Sequence, residues 1–343
     1  MADVLVTGGA GFIGSNLAAR LLSRGESVRV FDDLSRPGSE VNLAWLRRQF
    51  GSDSFRFVRA SLADKEALRS AVAGAEVIYH LAGQVAVTRS VADPAADYEA
   101  NANGTFYLLE SVRHLAGDAI FLYASTNKVY GSLADVCVRE GPLRYELAGL
   151  PAGVPETFPL DFHSPYGCSK GAGDQYARDY ARIYGIRTVV FRQSCIYGPR
   201  QFGQADQGWL AWFVLCGLRQ KPVVICGDGK QVRDVLYIDD LLDAYDAAVR
   251  NVDTAAGEIF NVGGGPENSL AVWSELEPIL REVLGATPPV VYQGWRPGDQ
   301  KIYVSDISKI RTRLGWRPRT GVRDGIRHLA GWIRGHLDLF PEG

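Results

Sequence analysis

Tyr166 and Lys170 are the residues of this 343-residue chain whose types and spacing first suggest chemistry. In Tyr166-Gly167-Cys168-Ser169-Lys170 they stand four apart, so on a helix the phenol and the ammonium share a face, one turn from each other. A neighbouring cation lowers a phenol's pKa and makes tyrosine usable as a base. An ordinary value of about 10 must fall by roughly 3 units to populate phenolate at neutral pH, about 4 kcal/mol of differential stabilisation. One surface lysine is too weak for that, whereas lysine plus a second cation in a partly dry cleft is not. Alone, the spacing is also what an exposed helix face produces. Ser125-Thr126 adds a second feature: the pair ends the apolar run from Ile120 to Ala124, where a hydroxyl can donate to an oxygen that gains or loses charge.

The elements that must position these groups are legible upstream. Short β-branched runs (Val4 to Val6, Val28 to Phe31, Phe55 to Val58, Val77 to His80, Ile120 to Ala124, Thr188 to Arg192) alternate with helical patterns such as Phe12 to Arg24 and Tyr166 to Tyr184. Alternation of this kind predicts a parallel sheet with helices on both faces, its strands continuously apolar because both faces are buried. Val4-Leu5-Val6-Thr7-Gly8-Gly9-Ala10-Gly11-Phe12-Ile13-Gly14 sets glycines between the first strand and an amphipathic helix. There a tight turn brings backbone amides against a pyrophosphate at the helix N-terminus. Gly8 or Gly9 permits the turn, Gly11 lets the phosphate approach, and Gly14 lets helix and strand pack closely. Asp32, 18 residues after Gly14 at the end of the second strand, stands where a ribose-binding acid is expected. Asp32 and Asp33 would repel a 2′-phosphate, which favours NAD over NADP, although Arg29 and Arg36 lie nearby. Asp33 reads equally as a solvated turn residue. The nicotinamide is then the second cation that the phenol requires.

The composition is that of a globular protein with a large core, 46% hydrophobic and 22% charged. With 37 Lys and Arg against 39 Asp and Glu, no net field attracts nucleic acid or an anionic membrane, and an anionic partner must be met by local arginines. Asp, Arg or Gly interrupts every apolar run before the roughly 20 residues a membrane helix needs. No basic leader precedes Val4-Leu5-Val6, so a cytoplasmic location is expected. Cys137, Cys168, Cys195, Cys216 and Cys226 form no Cys-x-x-Cys pair and read as free thiols, with no metal site expected. A stretch of about 35 residues after Tyr130-Gly131, rich in Gly, Pro and Leu, reads as a site-forming loop. Beyond Tyr197-Gly198-Pro199 the alternation breaks down, and a smaller, less regular lobe is expected.

In order along the chain, the glycine turn at Gly8 to Gly14, His80-Leu81-Ala82-Gly83, Asn101-Ala102-Asn103-Gly104-Thr105, Ser125 to Gly131, Tyr166 to Lys170 and Arg192 to Pro199 resemble the extended short-chain dehydrogenase/reductase family nearly end to end. The resemblance implies a Rossmann doubly wound parallel sheet with a smaller mixed α/β substrate-binding lobe. The NAD-binding domain would span residues 1–195 and 234–262, and the nucleotide-sugar lobe 196–233 and 263–343. It makes Tyr166 the acid/base, Lys170 the residue that binds the nicotinamide ribose and tunes the phenol, and Thr126 the hydroxyl partner, with Ser125 as the alternate. The cofactor contacts it implies are Gly8, Gly11, Phe12, Ile13, Asp32, Leu62, Leu81, Ala82 and Gly83, together with Tyr166 and Lys170. Asn101 would hold the helix that bears Tyr166 through a buried polar contact, or else begin a helix of its own. The chain departs from the pattern twice, with Ser61-Leu62 where relatives place an Asp that contacts adenine, and Ser194 where Asn is usual.

Within the family, nucleotide-sugar 4,6-dehydratases carry an Asp-Glu pair for eliminating water; here those positions are Asn127 and Lys128, which cannot serve. The stretches Gln84 to Thr88, Asn127 to Gly131, Phe162 to Tyr166, Gln201-Phe202 and Asp206 to Trp209 look like the CDP-tyvelose (CDP-paratose) 2-epimerase branch. That branch implies an isomerase acting on a CDP-hexose by transient oxidation. Gln84, Thr88, Thr126, Asn127, Ser194, Arg200, Gln201, Arg233 and Arg296 are its substrate-binding candidates. The three arginines suit the diphosphate, because guanidinium matches phosphate oxygens bidentately; without the resemblance each reads as a surface arginine. His163 either lines the sugar pocket or packs in its loop. A UDP-hexose 4-epimerase would use the same catalytic residues, and a non-catalytic NAD-binding regulator would share the fold. The helices around Asn103 to Leu115 and Tyr166 to Tyr184 are expected to pair between subunits in a homodimer or homotetramer.

Overall fold

The apolar runs are strands, and they begin and end close to where the pattern places them. In the computed structural model, which describes residues 2–295 and 300–341, β1 spans Asp3–Thr7, β2 Ser27–Asp32, β3 Arg56–Arg59, β4 Val77–His80, β5 Ile120–Thr126, β6 Arg187–Gln193 and β7 Ile259–Val262. They form one seven-stranded sheet in the order β7-β6-β5-β4-β1-β2-β3. Pairing of β1 with β2 and β4, of β2 with β3 and of β4 with β5 is parallel. Between them run α1 (Phe12–Ser23), α2 (Ser39–Phe50), α3 (Lys65–Val72), the short α4 (Val87–Ala92) and α5 (Pro94–Tyr98), a π-helical turn at Glu99–Asn103, α6 (Gly104–Leu115) and α7 (Pro165–Tyr184). This is the doubly wound arrangement expected from the sequence.

Strand order reverses between β1 and β4, and that reversal opens a crevice at the carboxyl ends of these two strands. Register fixes what stands there. Thr7 pairs with Phe31 on one side and His80 on the other, and His80 pairs with Tyr123. These four residues lie at one level, so the segments that follow them, from Gly8, Asp32, Leu81 and Ala124, all emerge on the same edge. Beneath that edge Leu5, Phe31, Ile78, Phe121 and Val190 pack with Leu68, Leu108, Val112 and Ala177 of the covering helices.

Contacts divide the chain into two units, Met1–Val129, Ser164–Arg192 and Tyr245–Phe260 in the first, Tyr130–His163, Gln193–Ala244 and Asn261–Gly343 in the second. The second unit is mixed α/β. Its strand Val232–Tyr237 runs antiparallel to Ser269–Ala271 and parallel to Ile302–Tyr303 and Cys195–Tyr197. Helices Trp209–Arg219, Leu276–Leu284 and Val322–Arg334 accompany it. Among the described residues no helix is long and apolar enough to cross a membrane, and no cluster of three or more His, Cys, Asp or Glu could hold a metal ion.

Candidate active site

The glycine turn is built by close approach. Gly8 has φ +67°, a region that only glycine enters freely, and its amide donates to Phe31 O at 2.8 Å. A Cβ on Gly14 would sit 2.1 Å from Gly8 O and 2.6 Å from Gly9 Cα, so helix α1 can seat against the turn only because Gly14 has none. Gly11 is different: a Cβ there would meet only Gly8 O, at 3.2 Å. Gly11 is also the N-cap of α1, whose first turn has neither a side-chain cap nor an acidic residue. Uncapped amides beside a position open on its outer side fit a pyrophosphate.

Asp32, buried at the end of β2, accepts from Ala10 N at 3.0 Å and Leu34 N at 2.8 Å. Burial pushes its carboxyl up, and those backbone bonds oppose the shift. Asp32 therefore organises the turn besides offering an acceptor to a ribose. Asp33 is exposed and accepts from Ser35 N, 2.9 Å away, as the turn reading anticipates. Arg29 spends its guanidinium on Asp3 and on the carbonyls of Ala71 and Ala73, and so is removed from consideration as a 2′-phosphate ligand. Leu62 packs into the core, where a Cβ on Gly104 would meet its Cδ1 at 2.8 Å.

Ser164 caps α7, its Oγ accepting from Gly167 N at 3.0 Å, Pro165 opens the first turn, and Gly185 (φ +70°) ends the helix. Tyr166 and Lys170 are thereby fixed one turn apart, both buried, at 8% and 6% exposure. The Thr126 hydroxyl at the end of β5 stands close enough to the Tyr166 phenol to pull its pKa down. Ser125 is committed elsewhere, donating from Oγ to Asp174 Oδ2 at 2.7 Å. Of the two hydroxyls left open by sequence, the structure brings Thr126 to the phenol. Asn127 is buried beside it, its Oδ1 accepting from Thr126 Oγ1 at 3.4 Å.

Electrostatics here differ from the sequence argument. Burial pushes the Tyr166 phenol above its ordinary value; Thr126 and the Arg36 guanidinium pull it down, and the Asp97 carboxylate pushes it up. Desolvation of the phenolate exceeds the local attractions, so in the protein alone Tyr166 is a proton donor. Burial likewise brings Lys170 down to about 7, against the upward pull of Asp174 and Asp97. Its ammonium stands 4.3 Å from the centroid of the Tyr123 ring. His80, fully buried, lies 2.8 Å from Thr7 Oγ1 and 2.9 Å from Thr105 Oγ1, and burial, then Lys170, holds it well below the usual imidazole range. It is a neutral spacer under the turn.

Sequence reasoning missed a layer of polar groups behind α7. Asp174 is fully buried and forms a two-pronged pair with Arg192, at 2.9 Å and 3.0 Å. Asn101 lies inside the π-helical turn, not at a helix start, and its amide reaches Gln84 O (3.0 Å), Asp97 Oδ1 (3.1 Å) and Ser169 Oγ (3.1 Å). The expected buried contact to the Tyr166 helix is the one the structure contains. Gln84 does not project freely toward a sugar. Its amide N–H groups go to Ala86 O and Asp97 Oδ1, both at 2.8 Å, and its oxygen accepts from Ala86 N. Thr88 is exposed on α4. The spacings Asp97-x-x-x-Asn101 and Lys170-x-x-x-Asp174 carried the signal, since each puts its pair on one helix face.

In the second unit Ser194 donates to both the backbone and the carboxylate of Asp234, which also accepts from Gly265 N and Ser305 N. Arg233 donates to Val232 O at 2.8 Å and Gln300 O at 2.7 Å. Gln201, also buried, donates to Ile196 O. Arg200 is half-buried with φ +67°, and desolvation holds its guanidinium below its usual range. His163 is exposed. Arg296 lies outside the described residues.

A parallel sheet with a glycine turn at its switch point, and a Thr-Tyr-Lys set on the neighbouring strand and helix, define an extended short-chain dehydrogenase/reductase. Within that class the chain belongs to the GDP-mannose 4,6 dehydratase family, whose profile matches residues 5–329. It is 43% identical to a CDP-paratose 2-epimerase of Salmonella typhi over 96% of this chain and 98% of that protein. A crystal structure of a Thermotoga maritima UDP-glucose 4-epimerase with UDP-glucose superposes with a TM-score of 0.83 at 33% identity, covering 98% and 99% of the two chains. A dTDP-glucose 4,6-dehydratase variant from Streptomyces venezuelae, crystallised with NAD, gives 0.84 at 31% identity, with 98% of each chain covered.

Proposed function

We propose that the chain is an NAD-dependent epimerase that inverts C2 of a CDP-hexose, CDP-paratose and CDP-tyvelose or CDP-glucose and CDP-mannose, through a transient 2-ketone. The observation that carries this reading is the segment after β5. Thr126 stands beside the phenol of Tyr166, where both can reach one carbinol oxygen, while Asn127 and Lys128 deny the site the acid pair that elimination of water would need. The identity with a CDP-paratose 2-epimerase supports the choice of carbon and nucleotide.

C2 of such a sugar has no adjacent carbonyl to acidify its proton, so inversion must pass through the ketone. The turn from Gly8 to Gly14, the N-terminus of α1 and Asp32 would hold NAD, which would supply a reversible hydride acceptor. Tyr166 takes the 2-hydroxyl proton during oxidation and returns it during reduction, while Thr126 holds the same oxygen. Lys170 holds the nicotinamide ribose and supplies positive charge near the phenol. Between the two steps the ketone must offer its other face, which demands a firmly held diphosphate and a loosely held sugar. Arg200, Arg233 and Arg296 are the residues proposed for the diphosphate, with Thr88, Asn127 and Gln201 toward the sugar. The exposed Tyr176, Ile183 and Tyr184 on α7 support pairing of this helix with a second copy. Five cysteines, none of them in a disulfide among the described residues, support a reducing, cytoplasmic location.

Purified protein incubated with CDP-paratose, CDP-glucose and UDP-glucose, each deuterated at C2, tests the reading. A C2 epimer that keeps its deuterium is expected from a CDP-sugar. Deuterium lost to solvent would refute internal hydride return, and inversion at C4 of UDP-glucose alone would establish instead the 4-epimerase reading that the Thermotoga structure favours.

A further inference from the structure

Lys170 is buried with no acid in contact with it. Among the described residues its ammonium makes no ion pair and no hydrogen bond, and the acids around it are engaged elsewhere. Asp174, one turn further along α7, accepts from Arg192 through two bonds and also from Ser125 and Gln175. Asp97 of α5 accepts from Gln84, Asn101 and Ser169. The lysine head group lies instead over the face of the fully buried Tyr123, 4.3 Å from the ring centroid. The face of an aromatic ring carries the negative part of its quadrupole, and it attracts a cation most strongly where water is excluded.

The strand pattern explains why a ring stands there. Side chains alternate along β5, so Tyr123 and Ser125 share the face that meets α7. Ser125 reaches Asp174, while the Tyr123 hydroxyl donates to Lys170 O at 3.2 Å. A Cβ on Gly173 would sit 2.3 Å from that hydroxyl oxygen, so α7 seats on the ring at a residue with no side chain. On β4, His80 has its ring centroid 5.5 Å from that of Tyr123 and is itself fixed between Thr7 Oγ1 and Thr105 Oγ1, at 2.8 Å and 2.9 Å. Tyr123 therefore holds the lysine twice, its backbone through the hydroxyl and its head group through the ring.

We propose that Tyr123 is a positioning residue for the reaction, its ring face holding the Lys170 ammonium charged and in place one turn from Tyr166. The other groups around the lysine do not take that part. Burial keeps His80 of β4 neutral and Tyr166 of α7 a phenol, and Asp174 is paired with Arg192 of β6. Burial draws Lys170 down to about 7, and Asp174 and Asp97 oppose that fall without forming an ion pair with it. A carboxylate in contact would neutralise the charge within the site. An aromatic face stabilises the cation and leaves its full charge available to the phenol and to a bound ligand.

The consequence for catalysis rests on the role proposed for Lys170 in the epimerase reading, but the measurement does not. The chain has seven lysines, few enough for titration by carbon NMR of the whole chain labelled at lysine Cε, with Lys170 assigned by its absence in Lys170→Arg. Tyr123→Leu keeps an apolar side chain and removes the face, and should lower the Lys170 midpoint by about 1 pH unit before any sugar nucleotide is added. Tyr123→Phe keeps the face and removes the bond to Lys170 O, and should leave the midpoint within about 0.3 unit. An unchanged midpoint in Tyr123→Leu overturns the proposal. So does an equal shift in Tyr123→Phe, which would mean that the hydroxyl merely anchors the helix. Should Tyr123→Leu not fold, phenylalanines of increasing ring fluorination placed at position 123 decide, since fluorine drains the face while the shape is nearly kept. The midpoint must then fall with each added fluorine, and a midpoint indifferent to fluorination overturns the proposal. If the shifts are found but no sugar nucleotide is turned over, the role of the ring stands and the epimerase reading falls.

Discussion

Replacing Lys170 by methionine should stabilise the fold at neutral pH while ending catalysis. An unfolded lysine titrates near 10.5 and Lys170 near 7, so the unfolded chain binds this proton more tightly. The folded state therefore carries a penalty that is full below pH 7 and is relieved as pH rises toward 10.5. Linkage makes it on the order of 4 kcal/mol at pH 7 and about 2 kcal/mol at pH 9. Methionine fills a similar straight-chain volume but gives up the contact with the Tyr123 ring and leaves Asp97 without a cation nearby. The net gain expected at pH 7 is accordingly only about 1–3 kcal/mol. Urea unfolding of the cofactor-free protein at pH 7 and pH 9 measures both numbers. Other groups that titrate in this window do so in both proteins and cancel in the difference. The advantage of Lys170→Met should shrink by about 2 kcal/mol between the two pH values. A difference that is flat with pH would show that Lys170 is not depressed, and the reasoning from burial would be wrong.

Three further outcomes follow from the same geometry. Tyr166→Phe should leave NAD binding intact, by fluorescence titration, and lower turnover by about 10³-fold; near-normal turnover removes the phenol from its role. Thr126→Val should lower kcat by about 10²-fold, whereas Ser125→Ala, whose hydroxyl serves Asp174, should change kcat by less than about threefold and appear instead as a loss of about 1 kcal/mol in stability; the reverse ranking in steady-state kinetics would exchange the two hydroxyls. Gly14→Ala places a methyl 2.1 Å from Gly8 O and should cost about 1–3 kcal/mol in unfolding measurements together with most of the NAD affinity; unaltered affinity would mean that the turn is not the pyrophosphate cradle.

What the sequence made legible was local in the chain. Strand β4 begins and ends at Val77 and His80 as the apolar run does, and α7 gains only Pro165 over the predicted helix, because periodicity and capping act within a few residues. The glycine turn and the Tyr-Lys pair were equally plain, since a loop against a helix N-terminus and two groups on one helix face are written in spacings of three to six residues. Other features depended on distant partners. Gln84 read as a sugar contact because nothing in its neighbourhood announces Asp97, thirteen residues on, as its partner. Ser125 and Thr126 stayed equivalent until β5 met α7 and Asp174 claimed one of them. The sign of the Tyr166 shift was out of reach for the same reason, since it is set by how much of the molecule closes over the phenol.

That division bears on why the buried polar layer exists. Asp97, Lys170, Asp174 and Arg192 are all under 9% exposed, and apolar residues of like volume would usually make such a region more stable. Asp174 and Arg192 have a structural account: each satisfies the other, and together with Ser125 they fix β5, β6 and α7 in one register. Asp97 has one as well, since its bonds to Gln84, Asn101 and Ser169 tie α5 and the π-helical turn to α7, whereas Lys170 has none, because burial holds it against its preferred charge state. Groups kept at a cost to folding mark places where a charge is required for chemistry. On this argument the burial of Lys170 supports the role proposed for it beside the phenol.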